Sequence, residues 1–330
     1  MRWIVTILAV LAAGVGSLSW WVSQQQDLLQ QPVLVQDSRL VVQPGTYLGP
    51  LLAQLEQQGW IDQAPDARLI ARTHPHLTRL KAGTYSVKGS LEGLLAMVVA
   101  GQSINEYFTI VPGWNVWQLQ TALANDERLD QKLPNDLNQW GELFGFEGWP
   151  EGQFLPDTYA FSPGDSDVAL LQRAHEALEQ TLSMAWEQRT TQQLQSSQEL
   201  LTLASIIEKE TAVADERTHI AGVFDHRLRK KMRLQTDPTV IYGLLPDFDG
   251  NITRKNLRQA TPYNTYVIKR LPPTPIAMAG AASILAAAMP KATQDLFFVA
   301  TGNGGHAFAE TLKQHQKNVQ DYLRNRRSQQ

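Results

Sequence analysis

The chain has no cysteine among its 330 residues. That excludes disulfides, thiolate metal sites and a thiol nucleophile. It also lacks an excess of either charge: 29 Lys and Arg stand against 32 Asp and Glu, a net charge of −3. No electrostatic case for nucleic acid arises from that balance. His219, His226 and His306 have none of the spacing of a helical two-histidine zinc motif. No Gly-x-Ser-x-Gly elbow occurs, and the Gly-rich turn before His306 lacks the Gly-Lys-Ser/Thr ending of a phosphate loop. No cofactor and no metal are therefore expected. Apolar residues make up 43% and charged residues 18%, an ordinary balance for a folded chain.

Charge is also absent from the first stretch of the chain. Residues 3–21 carry no charge, with Arg2 before them and Gln24, Gln25, Gln26 and Asp27 after. A helix of that length spans a bilayer core. The basic N-terminal flank predicts an N-terminus inside and the bulk of the chain outside. Trp20 and Trp21 would sit at the outer interface. A cleaved signal peptide is the rival reading, since Ala12, Ala13, Gly14, Gly16 and Ser17 offer small residues. The expected division is an anchor at 1–22, a polar stalk at 23–32, a small module at 33–103 and a larger domain at 104–330.

The small module alternates short strands with amphipathic helices. Leu40-Val41-Val42 precedes a Pro44-Gly45 turn, and Leu48, Leu51, Leu52 and Leu55 recur at helical spacing. Gly-Thr-Tyr occurs at 45 and again at 83, each time near a short helix, which suggests two copies of one plan. In the larger domain, residues 117–146 read as helical. Ser196 and Glu199 form a capping signal before the apolar run 200–207. The fold class expected is α+β.

That apolar run ends in two carboxylates, Glu208 and Glu210. A carboxyl held against an apolar wall keeps its proton more readily, which suits a general acid near neutral pH. On a helical wheel Glu208 shares a face with Ala204 and Ser205, small neighbours that would leave room for a substrate. Glu210 lies about 200° away. A surface role for both, one paired with Lys209 or Arg217, fits the same spacing. Three further groups concentrate amides, hydroxyls and tyrosines: Gln235-Thr236-Asp237 with Tyr242; Asn264 and Tyr266; Glu151 with Asp157-Thr158-Tyr159. Such groups hydrogen-bond sugar hydroxyls and stack on sugar rings. Turn and cap roles for Asp157 and Asp237 beside proline are the plain alternative. His306 after its Gly-rich turn could form a site lip.

These stretches together resemble the endolytic murein transglycosylase (YceG-like) family. They are EGQFLPDTYAF at 151–161, LASIIEKETAV at 203–213, LQTDPTVIYGL at 234–244, YNTYVIKRLPPTPIA at 263–277 and FFVATGNGGHAF at 297–308. The resemblance implies a membrane-anchored lyase that cuts the MurNAc–GlcNAc β-1,4 bond of peptidoglycan glycan strands. It would leave 1,6-anhydro ends and terminate nascent strands. It places the family's essential glutamate on Glu208. With such a substrate, the side-chain chemistry of these groups makes Glu151, Asp157, Gln235, Asp237, Tyr242, Asn264, Tyr266 and His306 substrate-binding candidates. It likens 33–103 to a LysM module and 104–330 to the catalytic domain. The body would lie in the periplasm, on the inner membrane, near membrane peptidoglycan synthases. A hydrolytic muramidase using Glu210 or Asp237 as second carboxylate, and a non-enzymatic glycan-binding protein, remain as alternatives. The chain departs from the family pattern at Val111-Pro112-Gly113, at Arg270, where the family has Gly, and at Met278-Ala279-Gly280.

Overall fold

A computed structural model describes residues 2–35, 38–302 and 304–328. It is a mixed α+β fold whose described residues form three two-stranded sheets. The chain divides into two units: residues 1–106 with 160–163, and residues 107–159 with 164–330.

The first unit opens with α1 (Arg2–Gln30), a single 29-residue helix. It is long and apolar enough to cross a membrane, and Trp3, Leu8, Leu11, Leu18 and Trp20 are exposed along it. The expected stalk from 23 is absent, because the helix runs on to Gln30. Gln25 and Leu29, four residues apart and so on one face, are both buried. The Gln25 side chain accepts the Asp66 amide at 2.6 Å. Strand β1 (Ser38–Val42), α2 (Leu48–Gln57), α3 (Ala67–Thr73), β2 (Gly83–Val87) and α4 (Leu91–Ala100) follow. The strands pair antiparallel, with Leu40 opposite Tyr85 and Val42 opposite Gly83. Leu40, Val42, Tyr85 and Val87 share one core with Leu51, Leu52, Leu55, Leu94, Leu95 and Val98. The two Gly-Thr-Tyr sequences are not equivalent. The second starts β2; the first lies after β1, where Tyr47 is the residue before α2.

The second unit contains β3 (Glu106–Thr109, its first residue belonging to the other unit), α5 (Val116–Ala124), α6 (Trp140–Phe144) and β4 (Thr158–Phe161, its last two residues belonging to the other unit). Then come α7 (Asp167–Gln188), α8 (Ser197–Glu210), α9 (Arg217–Arg229), α10 (Asp237–Tyr242) and α11 (Ala281–Ala288). It ends with β5 (Phe297–Ala300), β6 (His306–Ala309) and α12 (Leu312–Ser328). The long helix expected over 117–146 breaks after Ala124. Asp126 and Asp136 turn back on the amides of Arg128 and Asn138, a local competition that ends helices.

Helix α8 is the axis of this unit. Ser196 accepts the Glu199 amide at 3.1 Å, as its capping signal predicts. The Glu199 carboxylate answers one residue earlier than expected, on the Gln195 amide. Residues 200–207 are all buried, with α7, α9, α10 and α11 packed around them. A helix stretch apolar on every side has to be enclosed this way, and α8 reaches polar surroundings only at its two ends, 197–199 and 208–210.

Arg270 adopts φ +65°, the left-handed region in which a Cβ is disfavoured. That accounts for the glycine expected there. Its guanidinium instead bonds Glu199 at 2.9 Å, a partly exposed pair of small net value. Arg270→Gly should therefore shift stability by less than about 1 kcal/mol, as read from thermal melts. A loss well beyond that would mean the ion pair holds the loop.

Candidate active site

At the end of α8 the two glutamates diverge as the wheel requires, but their surroundings differ from the expected ones. Glu208 is partly buried against the start of α11. Its Oε2 accepts the Gly280 amide at 3.1 Å and the Ser283 hydroxyl at 2.7 Å. A carboxylate there satisfies one orphan amide of the α11 N-terminus, that of Gly280, and lies at the positive end of the helix dipole. The room expected above it is filled: Ala204 and Ser205 are fully buried, and Ser205 accepts the Ile276 amide at 3.0 Å. Neighbouring Lys209 donates to the Gly113 carbonyl at 3.0 Å.

Glu210, on the other side, lines a cavity of about 470 Å³. Gln235, Asp237, Tyr266 and His306 line it too, so four of the eight binding candidates meet around Glu210. The Thr236 hydroxyl donates to Glu210 Oε1. Burial pushes the Glu210 carboxyl above the ordinary carboxylate range; the Thr236 bond opposes this, and the charge of Asp237 adds to it. Tyr266 donates to Asp237 at 2.6 Å. Gln235 is exposed and held at φ +51°, a strained conformation of the kind that collects at functional sites. Its amide bonds the Thr265 carbonyl at 3.3 Å.

The far wall comes from the β5–β6 hairpin, where Ala300 pairs with His306. Glu216 fixes the histidine, accepting its Nδ1 at 2.7 Å and its backbone amide at 2.8 Å. Burial works against the Glu216 charge, but the bonds from His306 outweigh it and hold the carboxyl below its usual range. Arg227 braces the same wall from α9. It donates to the carbonyls of Leu296 at 2.6 Å and Leu234 at 2.7 Å. Thr236 was named from sequence only as a member of its group, and Glu216 and Arg227 were not singled out. Thr236 lies inside a quoted motif, whereas the Glu216–His306 pair spans 90 residues and leaves no local signal.

The other four binding candidates lie elsewhere. Glu151 is fully buried, which bars it from sugar contact. Its Oε2 accepts the Val116 amide at 3.1 Å at the start of α5, and its Oε1 has no partner among the described residues. Burial raises it to about 7, against the pull of the Val116 amide, Tyr242 and Lys209. Tyr242 is buried and accepts from the Trp149 indole at 3.2 Å. Asn264 is 1% exposed. It donates to the carbonyls of Asn256, Leu257 and Gln259 and accepts the Tyr266 amide at 2.9 Å, so it shapes the loop that presents Tyr266. Asp157 is exposed and accepts the amide of its neighbour Thr158, the turn role weighed against a binding one. Gly152, next to Glu151, adopts φ +78°, and a Cβ there would come within 2.5 Å of Pro275. That close approach is why glycine follows the buried carboxyl.

A buried helix thus delivers a carboxyl group into a polar, aromatic-edged cavity, the arrangement that acid/base chemistry requires. The model of the YceG-like family matches residues 40–321, and the chain belongs to that family. It is 39% identical over 266 residues to the endolytic murein transglycosylase of Bacillus subtilis (strain 168), covering 74% of this chain and 73% of that one. The Streptococcus pneumoniae (strain R6) protein of the same name is 29% identical over 62% of this chain and 37% of its own length. A crystal structure of a putative YceG-like protein from Listeria monocytogenes superposes with a TM-score of 0.56 at 27% identity. It covers 86% of this chain and 98% of that one.

Proposed function

We propose that this protein is an endolytic peptidoglycan lytic transglycosylase, with Glu210 rather than Glu208 as the acid/base. The observation that carries this is the cavity in which a burial-shifted Glu210 meets Gln235, Asp237, Tyr266 and His306. Protonated Glu210 gives its proton to the glycosidic oxygen as the bond from C1 breaks, through an oxocarbenium-like state. The 6-hydroxyl of the same MurNAc ring then attacks C1, and its proton returns to Glu210. One chain becomes two, with a 1,6-anhydro end and no water consumed. Thr236 steers Glu210 Oε1. Gln235, Asp237, Tyr266 and His306 orient the sugar rings. Glu208 is a positioning residue that ties the end of α8 to α11.

Helix α1 serves as an inner-membrane anchor with its N-terminus inside, so the body works on strands outside. The first unit's strand–helix–helix–strand order suits a LysM-like glycan-binding module. Chain termination beside the synthases follows from this placement. Incubating full-length protein with purified strands of uniform length tests the reaction. Internal cutting gives intermediate lengths early in the time course. Strands that stay intact at every enzyme level would leave only a glycan-binding protein.

A further inference from the structure

A second groove of the same unit plays no part in the acid/base chemistry. It measures about 450 Å³ and is lined by Trp114, Asn115, Trp117, Gln118, Thr121 and Leu245, among others. That volume is within the range of small-ligand sites.

Its chemistry comes from the start of α5. The core face of this helix is Val116, Leu119 and Leu123, all buried. Trp117 and Thr121 are four residues apart and share another face. Trp114 precedes the helix, and both indoles remain partly exposed. Trp117 is braced from behind, with Trp149 at 5.6 Å and Tyr242 at 5.9 Å between ring centroids. Trp114 is fixed through its backbone, whose carbonyl accepts the Met278 amide at 2.7 Å. Asn115 and Gln118 form a reciprocal capping box, each side-chain oxygen accepting the other's amide at 2.9 Å. Capping uses only the oxygens. Neither side-chain NH₂ group donates a hydrogen bond among the described residues. Two partly exposed indoles, one of them braced by ring contacts, beside two NH₂ donors match a sugar ring, which offers an apolar face together with hydroxyl and acetamido oxygens.

The groove is tied to the Glu210 cavity at two points. Lys209, beside Glu210, holds the Gly113 carbonyl immediately before Trp114. Helix α10 carries Asp237, a cavity residue, at one end and Tyr242, in ring contact with Trp117, at the other. Six residues of helix span about 9 Å.

We propose that Trp114 and Trp117 form a distal saccharide subsite that holds another N-acetylated sugar ring of the strand being cut at Glu210. It rests on the glycan-cleaving reading above, and it supplies a reason for endolytic action: a strand held at a ring beyond the scissile bond is cut away from its end.

The test uses full-length Glu210→Gln protein, which should bind strands without cutting them. Tetra-N-acetylglucosamine serves as soluble probe, followed by isothermal calorimetry. Adding Trp114→Ala should weaken binding about tenfold, the scale of one aromatic stacking contact, and Trp114→Phe should restore most of it. Thr121→Trp, which fills the groove and gives up only the Thr121 hydroxyl bond to the Trp117 carbonyl, should weaken binding equally. In the active protein, Trp114→Ala should raise KM for long strands about tenfold more than for the shortest cleavable ones. Unchanged binding in both Trp114→Ala and Thr121→Trp, or equal losses on long and short strands, overturns the subsite. If the wild type makes no new ends yet binding still depends on Trp114, the cleavage reading fails and the groove stands as a sugar site. If ends form and Trp114→Ala changes nothing, the subsite alone falls.

Discussion

Glu210→Gln is expected to cut glycan-strand cleavage by at least about 100-fold with the melting temperature nearly unchanged. Glutamine fills the same space and can still accept the Thr236 hydroxyl, but it cannot deliver a proton. Glu208→Gln is the decisive companion. Its oxygen can still accept from Gly280 and Ser283, so the loss there should stay below about tenfold, roughly 1.4 kcal/mol. Glu208→Ala strips the cap from α11 and should cost about 1–2 kcal/mol of stability. Steady-state rates beside thermal melts separate the two glutamates. If Glu208→Gln is the inactive protein and Glu210→Gln the active one, the cavity is not where the bond breaks.

The second large effect is on stability. Glu151 is fully buried, its Oε1 is unpartnered, and burial lifts it from the ordinary 4.5 to about 7. The folded protein therefore keeps a proton that the unfolded chain releases more easily. Stability from this group is complete below about pH 4.5, falls as pH rises, and is lost above about pH 7. The full span is about 3 kcal/mol. Glu151→Gln keeps a neutral acceptor for the Val116 amide and removes the titration. The variant should match wild type near pH 4.5 and melt several degrees higher at pH 8. Melts at both pH values, followed by tryptophan fluorescence, check this. If the variant is less stable than wild type at pH 8, the ionised carboxylate is welcome where it sits, with Lys209 as its counter-charge.

Local chemistry was legible in the sequence, and long-range packing was not. The Ser196 cap and the apolar run 200–207 placed α8 because both act within one or two turns. The wheel also gave the divergence of Glu208 and Glu210. It could not say which side stays open, since that is decided by Gly280 and Ser283, 72 and 75 residues away from Glu208. The same limit applies to Glu151, Tyr242 and Asn264. Their polar side chains look alike whether they face a ligand or hold a loop from within, and only burial separates the cases. The stalk was misread because its glutamines suggested solvent, while Gln25 and Leu29 point inward from a continuing helix. Gln235, Asp237, Tyr266 and His306 were found by motif and do share a cavity. Arg227 and Glu216, which position that cavity's wall, carried no pattern that spacing could reveal.

The central claim is that one carboxyl group serves as both acid and base, so that no water enters the product. Digesting purified strands in ¹⁸O-labelled water and weighing the new ends tests it directly. Anhydro ends without label, one water lighter than reducing ends, are the predicted result. Reducing ends carrying one ¹⁸O atom would mean that a second carboxylate such as Asp237 activates water, and would contradict the single-glutamate mechanism.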